Sequence, residues 1–317
     1  MHIITAEQVA STLSWQQTVA VLKQAMIEVS QGRIQAPLRT AMPVSANNLM
    51  GIMPGAMENP SVHGIKLLSL YPDNPKKGLS SHQGLMVIFD SPTGTPIATL
   101  EADALTALRT PAATLLATNH LARKHAKTHT ILGGGEQAER HLEAFLACGN
   151  ATQIRLWARR PEAAKQILKK INAPAHVSVI EDLEEAVHGA DIVTCVTAAP
   201  TAILKGVWLE PGQHINLVGS SVPQYREIDS EGVTLLRYFV DYRPSTKAQA
   251  GEYLEELEKG NITEDYIVGE IGEVLNGDIE GRTSDQQITA YKSLGVAPQD
   301  LSVSWAILQK LGLVDSE

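Results

Sequence analysis

Apolar positions near the start of the chain fall on one helical face. Val19, Leu22, Met26 and Val29 recur at spacings of three and four, and Gly32 ends the run, so residues 6–32 are expected to be helical. From residue 34 to 96 the rhythm changes to short apolar stretches, 64–70 and 84–90 among them, bounded by Pro, Gly, Asn and Ser. That texture predicts strands joined by turns. Within it, YPDNPKKG (71–78) reads as a loop and SPTGTP (91–96) as a turn between two strands. An alanine-rich helical pattern covers residues 102–125.

Beyond it, strand and helix patterns alternate. Strands are predicted at 128–132, 153–158, 177–180 and 192–197, with helices at 136–148, 161–171 and 183–188 between them, and further strands at 214–218 and 235–241. Such alternation indicates a parallel sheet covered by helices on both faces.

The first of these strands runs into Gly133-Gly134-Gly135-Glu136-Gln137-Ala138, a G-x-G-x-x-A pattern placed directly before a helix. There the first glycine permits a tight turn, the second lets a pyrophosphate approach the backbone, and the small third residue lets helix and strand pack. The helix N-terminus supplies free amides to the anion. The pattern alone is weak evidence, but its strand-helix-strand context predicts dinucleotide binding and a Rossmann-type doubly wound parallel sheet. The second strand ends in Ala158-Arg159-Arg160, where an NAD site usually places an acid for the ribose hydroxyls. Arginine instead suits a 2′-phosphate, so the expected cofactor is NADPH, with NADH possible, and Arg159, nearer the strand end, is the better candidate. The expected cofactor-binding set is Gly133, Gly134, Gly135, Glu136, Gln137, Ala158, Arg159 and Arg160, with Thr197 and Gly219 at the ends of two further strands.

A chain of 317 residues suits about two domains. The expected division is a first α+β domain over 1–121, a nucleotide domain over 122–293, and a segment 294–317 whose helix, around 301–311, rejoins the first domain. The net charge of −9 argues against nucleic acid as the main partner, though a local basic pocket could still take an anionic substrate. No apolar run reaches the ~18 residues of a membrane helix, and the first residues, MHIITAEQVASTL, have no basic lead. Cys148 and Cys195 stand far apart, which is neither a disulfide framework nor a zinc pattern and reads as two core residues. These features lead to the expectation of a cytoplasmic protein with neither a membrane nor a metal.

Among the basic residues of the first domain, Arg39, Lys66 and Arg109 sit in apolar or tight contexts, whereas Lys76 and Lys77 lie in a loop. A lysine inside an apolar strand is costly unless it is paired or faces a site. The three are expected either to clamp a substrate carboxylate or to form structural salt bridges. His125 and His129 straddle a strand entry and do not share a helix face, and Ser81-His82 lacks a nucleophile elbow. Trp15, Trp157, Trp208 and Trp305 read as packing residues, and Glu255, Glu256 and Glu258 as a solvated helix face.

Taken together, these stretches resemble the ornithine cyclodeaminase/mu-crystallin family over nearly the whole chain. The telling segments are KLLSLYPDN (66–74), Asp90 with Thr93-Gly94, ALTALRT (104–110), Gly133 through Ala138, Val218-Gly219 with Pro223 and Glu227, Gly269-Glu270-Ile271-Gly272 and Gly281-Arg282-Thr283. The resemblance implies a homodimer joined through the first, substrate-binding domain, with Arg39, Lys66 and Arg109 facing the substrate. The family's chemistries include ornithine or lysine cyclodeamination, alanine dehydrogenation and reduction of cyclic ketimine acids. Its cyclodeaminases and alanine dehydrogenases carry an aspartate in a G-x-D pattern where this chain reads Gly219-Ser220-Ser221, and ketimine reductases have serine there. The resemblance therefore implies an oxidoreductase that reduces Δ1-pyrroline-2-carboxylate or its six-membered homologue with NADPH, with Lys66 and Ser221 as catalytic residues. The alternatives are an NAD-dependent ornithine cyclodeaminase or alanine dehydrogenase, and a crystallin-like protein that binds NADPH or ligand without turnover. Cyclodeamination would need another acid, Glu58 or Asp73, in the missing role.

Overall fold

The computed structural model describes residues 1–315 and divides into two compact units, Met1–Arg109 together with the segment from Gly295 onward, and Thr110–Leu294. The first unit holds β1 (His2–Ile4), β2 (Ile34–Gln35), β3 (Thr40–Pro43), β4 (Leu49–Met57), β5 (Val62–Leu70), β6 (His82–Asp90) and β7 (Pro96–Glu101). They form one sheet in the order β1-β7-β6-β5-β4-β2, with β3 also on β4. The pairings are antiparallel except that of β1 with β7.

The expected first helix is two, α1 (Ala6–Thr12) and α2 (Trp15–Ser30). Leu13 is extended, and Ser14 forms a reciprocal capping box with Gln17, so a new helix starts where the apolar spacing alone reads through. Leu22, Met26 and Val29 are buried, as the pattern predicts.

Helix α3 (Ala102–Leu121) ends four residues earlier than its pattern suggests, and the change of unit falls inside it, after Arg109, rather than beyond its end. Its later residues bond within the second unit. Thr114 Oγ1 shares a hydrogen bond with His141, and Thr118 Oγ1 accepts one from Asn216.

The second unit contains β8 (Thr128–Leu132), β9 (Gln153–Trp157), β10 (Val177–Val179), β11 (Ile192–Cys195), β12 (His214–Leu217), β13 (Leu236–Val240), β14 (Ile267–Glu270) and β15 (Ile288–Lys292). All pair in parallel, in the order β10-β9-β8-β11-β12-β15-β13-β14. The strand order reverses between β8 and β11, which is where open parallel sheets bind nucleotides. Strands β14 and β15 escape the sequence pattern. In β15 the sequence ITAYK buries Thr289 and Lys292 completely, so polar residues interrupt the apolar run that marks a core strand.

Helices α4 (Glu136–Cys148), α5 (Pro161–Lys170), α6 (Leu183–Val187), α7 (Ser230–Thr234), α8 (Arg243–Gln249), α9 (Gly251–Glu258) and α10 (Ile271–Asn276) complete this unit. Glu256 on α9 corrects one expectation. It is fully buried and accepts hydrogen bonds from Ser230, Lys259 and Asn261. The last helix, α11 (Ala297–Lys310), belongs to the first unit and packs on α2, β4 and β5. No helix among the described residues is long and apolar enough to cross a membrane.

The second unit's interior also carries a polar chain. His129 shares a hydrogen bond with Thr194, whose Oγ1 accepts from Asn216, and Asn216 pairs with His214, which in turn meets Thr289. Burial pulls His129 and His214 down to about 3 and His141 down to about 4, so all three are neutral in the folded protein at neutral pH.

Candidate active site

In the first unit, strand β5 places Lys66 in the interior with 1% of its surface exposed. Its Nζ donates to Thr106 Oγ1 at 2.5 Å and to Asp300 Oδ1 at 2.8 Å. The same Oδ1 accepts from Arg109 Nε at 3.3 Å, and Arg109 Nη1 donates to Gln299 Oε1 at 3.1 Å. Arg39, half-buried in the stretch before β3, donates to the carbonyl of Gly295 at 3.4 Å. The structure thus brings Arg39, Lys66 and Arg109 together. Lys66 and Arg109 do form salt bridges, but both share a single carboxylate, and Arg39 adds a third cation beside it.

Burial lowers the Lys66 ammonium to about 8, with Arg109 and Arg39 adding to the effect and Asp300 opposing it. Burial alone would raise Asp300, but Lys66 and Arg109 outweigh it and hold the carboxyl below its ordinary value. Lys76 instead pairs with Asp73 at the surface, 2.6 Å apart.

In the second unit, the turn after β8 leads into α4, whose N-cap is Gly135 and has no side-chain cap. The helix's first amides are therefore left for an anion. The glycines suit a dinucleotide. A Cβ on Gly134 would stand 2.8 Å from the Cβ of Ala158, while one on Gly135 would meet only open space. The turn is thus packed against the end of β9 on one side and open on the other, and Gln137 Oε1, beside it, is buried without a hydrogen-bond partner. Arg159 and Arg160 follow β9, both exposed, and neither guanidinium is engaged by another described residue. Arg160 is also the N-cap of α5.

Thr197 and Gly219 follow β11 and β12, and one residue ties them together. Glu227, 1% exposed, accepts from the Thr197 amide at 2.7 Å and hydroxyl at 2.8 Å, and from the Gly219 amide at 2.7 Å. Thr197's hydroxyl is thereby committed inside the protein. Burial raises the Glu227 carboxyl against the opposing pull of Lys292 and these donors. Lys292 in turn holds the Ser220 carbonyl at 2.8 Å and pairs with Glu252 at 2.9 Å. Ser221, next in this loop, is half-buried, and its hydroxyl bonds to no described residue.

Sequence reasoning finds the cations and the glycine turn but misses Asp300, Gln299 and Lys292, and it gives Glu227 no role. An acid in the first turn of α11 reads simply as a helix-dipole partner, and nothing in its neighbours signals burial.

The family model for the ornithine cyclodeaminase/mu-crystallin family matches residues 1–312. A Δ1-pyrroline-2-carboxylate reductase of Bacillus cereus is 32% identical over 316 residues, covering 98% of this chain and 96% of that protein. The ketimine reductase mu-crystallin of Rattus norvegicus is 32% identical over 271 residues, covering 85% of this chain and 83% of its own. Among solved structures, the Thermococcus litoralis Δ1-pyrroline-2-carboxylate reductase in complex with NADH and L-proline superposes with a TM-score of 0.92 at 31% identity, covering 98% of this chain and 97% of that one.

Proposed function

The chain belongs to the ornithine cyclodeaminase/mu-crystallin family, and we propose that it is an NADPH-dependent reductase of a cyclic imine carboxylic acid. Its substrates are Δ1-pyrroline-2-carboxylate, giving L-proline, and the six-membered Δ1-piperideine-2-carboxylate, giving L-pipecolate. The observation that carries this reading is a buried excess of positive charge, in which Lys66 and Arg109 share the single carboxylate of Asp300 and the half-buried Arg39 lies beside them. A small substrate carboxylate meets that excess. The relatives named for pyrroline-2-carboxylate and ketimine reduction point to the same substrate class.

Arg109 and Arg39 hold the substrate carboxylate. Lys66 Nζ donates to the lone pair of the neutral imine nitrogen and passes it a proton as the hydride arrives, leaving a neutral amine on Lys66 and making the adjacent carbon electrophilic. The nicotinamide, when bound, supplies the hydride for that carbon. Gly133 through Gln137, Ala158 and the backbone at Thr197 and Gly219 hold the dinucleotide, and Arg159 takes the 2′-phosphate that distinguishes NADPH. Ser221 contributes a neutral hydroxyl to the reaction. The active species is a cytoplasmic homodimer formed through the first unit, in which Leu38, Met42, Val44 and Leu85 are exposed apolar residues.

The test is a panel in which both cyclic imine acids are assayed with NADPH and NADH and alanine with NADP+ and NAD+, all by cofactor absorbance, while ornithine is assayed with the oxidised cofactors by ammonia release. The expected result is fastest oxidation of NADPH with an imine acid. Turnover confined to the free amino acids would overturn the proposal.

A further inference from the structure

The segment that returns to the first unit touches every member of the cation cluster. Gly295 offers its carbonyl to Arg39, Gln299 takes one nitrogen of Arg109, and Asp300 takes both Arg109 Nε and Lys66 Nζ. Gly295 has φ 77°, and a Cβ there would lie 2.6 Å from Arg109 Nη1, so the guanidinium rests where only glycine leaves room. Asp300 itself is fully buried. Its Oδ1 carries both cations, while its Oδ2 is buried without a hydrogen-bond partner.

From this geometry we infer that Asp300 is a positioning residue for the reduction, the counter-ion that fixes Lys66 and Arg109 at one point and leaves each a donor for the substrate. The inference rests on the proposed function. Of the three protons on Lys66 Nζ, one goes to Thr106 and one to Asp300. Arg109 commits Nε and Nη1 to α11. One ammonium proton and the Nη2 group then remain uncommitted among the described residues, suited to an imine nitrogen and a carboxylate oxygen respectively. A single shared acceptor also fixes the spacing between these donors.

Among the described residues, the charged and titratable groups that act most on Lys66 are Asp300 from α11, Arg109 from α3 and Arg39 from the stretch before β3, with His82 from β6 also facing it. Asp300 is the one carboxylate among them. Without it, the buried lysine faces cations and loses its proton more readily.

The test is Asp300→Asn, which keeps shape and removes charge. NADPH binding, read by fluorescence titration, is expected to stay within about twofold, because the nucleotide residues lie in the other unit. kcat/KM for the imine acid should fall about ten- to hundredfold at neutral pH, as for loss of a hydrogen bond to a charged group. Activity in the unsubstituted protein should decline as pH rises through about 8, where Lys66 loses its proton. In Asp300→Asn this limb should move at least about one pH unit lower, a tenfold change in the proton equilibrium, and acidification should recover part of the rate. A merely structural role would give the same loss at every pH, and that result, or an unchanged kcat/KM, overturns the inference.

Should the Asn variant fail to fold, Asp300→Glu decides. It keeps the charge but displaces the shared oxygen, so the limb should stay in place while kcat/KM falls, and an unchanged kcat/KM overturns the positioning role. Titration of the Lys66 13Cε resonance, assigned with Lys66→Arg, reads the same coupling without turnover. If the unsubstituted protein reduces no imine acid, the functional reading fails, yet a lower Lys66 midpoint in the variant would still establish the role of Asp300 and an unmoved one would refute it.

Discussion

Mild acid should destabilise the second unit steeply, because its interior stores three neutral histidines. His129, His141 and His214 titrate at about 3, 4 and 3 in the folded protein, all lowered chiefly by burial from the ordinary 6.5. Below pH 6.5 the unfolded chain takes up three protons that the folded chain refuses, so stability is intact above that pH and is lost as the pH falls toward the folded values. Each group contributes roughly 1.4 kcal/mol per pH unit once well below 6.5, and integration from pH 7 to pH 5 gives about 2 kcal/mol per histidine, or about 6 kcal/mol together. That is a large share of the roughly 5–15 kcal/mol by which domains are stable. Glu227, whose carboxyl burial raises, opposes the trend with one group. The assay is urea unfolding at pH 7, 6 and 5, followed by the fluorescence of Trp157 and Trp208 in the second unit. His129→Gln should remove about a third of the pH slope. A stability at pH 5 within about 1 kcal/mol of that at pH 7, or an undiminished slope in the variant, would refute the reasoning.

Four further outcomes bear on the reaction. Arg159→Ala should weaken NADPH about ten- to hundredfold and NADH little, as measured by fluorescence titration, since one charge-assisted contact to the 2′-phosphate is lost. Arg109→Met leaves Asp300 paired with Lys66, so the protein should fold and bind NADPH normally while KM for the imine acid rises beyond about tenfold. Lys66→Met, with Asp300 still held by Arg109, should depress kcat as well as binding, and normal kinetics in either variant would reduce that residue to structural pairing. Because Ser221 offers this loop a neutral hydroxyl and no carboxylate, ammonia release from ornithine should be negligible beside imine reduction. Comparable rates would reverse the assignment.

The second unit was the more legible half of the chain. Five strands from β8 to β12 and the helices between them follow apolar periodicity, and the glycine turn lies where the motif places it. Periodicity fails where burial is offset by pairing rather than accompanied by apolar surface. Lys292 and Thr289 hide β15, and Glu256 looks like a solvated acid until its three donors are seen. The same limit applies to the candidate site. Lys66 stands out because it interrupts an apolar strand, whereas Asp300, 234 residues away, opens a helix where acids are ordinary. Which acid neutralises which cation is a fact of the tertiary fold, and neither residue's neighbours encode it.

The split of the first unit across the chain bears on biosynthesis. Residues 110–294 are contiguous and can fold as they emerge from the ribosome, but Lys66 is made long before the carboxylate that will accompany it into the interior. Until α11 is synthesised, burying that lysine would strand a cation beside Arg109, so the early strands should remain open or loosely collapsed during translation. A chain ended at residue 294 and released from the ribosome should therefore resist protease over the second unit and be cut within β4 to β6. Extension through α11 would close the first unit, making the order of synthesis a safeguard against sealing an incomplete charge cluster inside the protein.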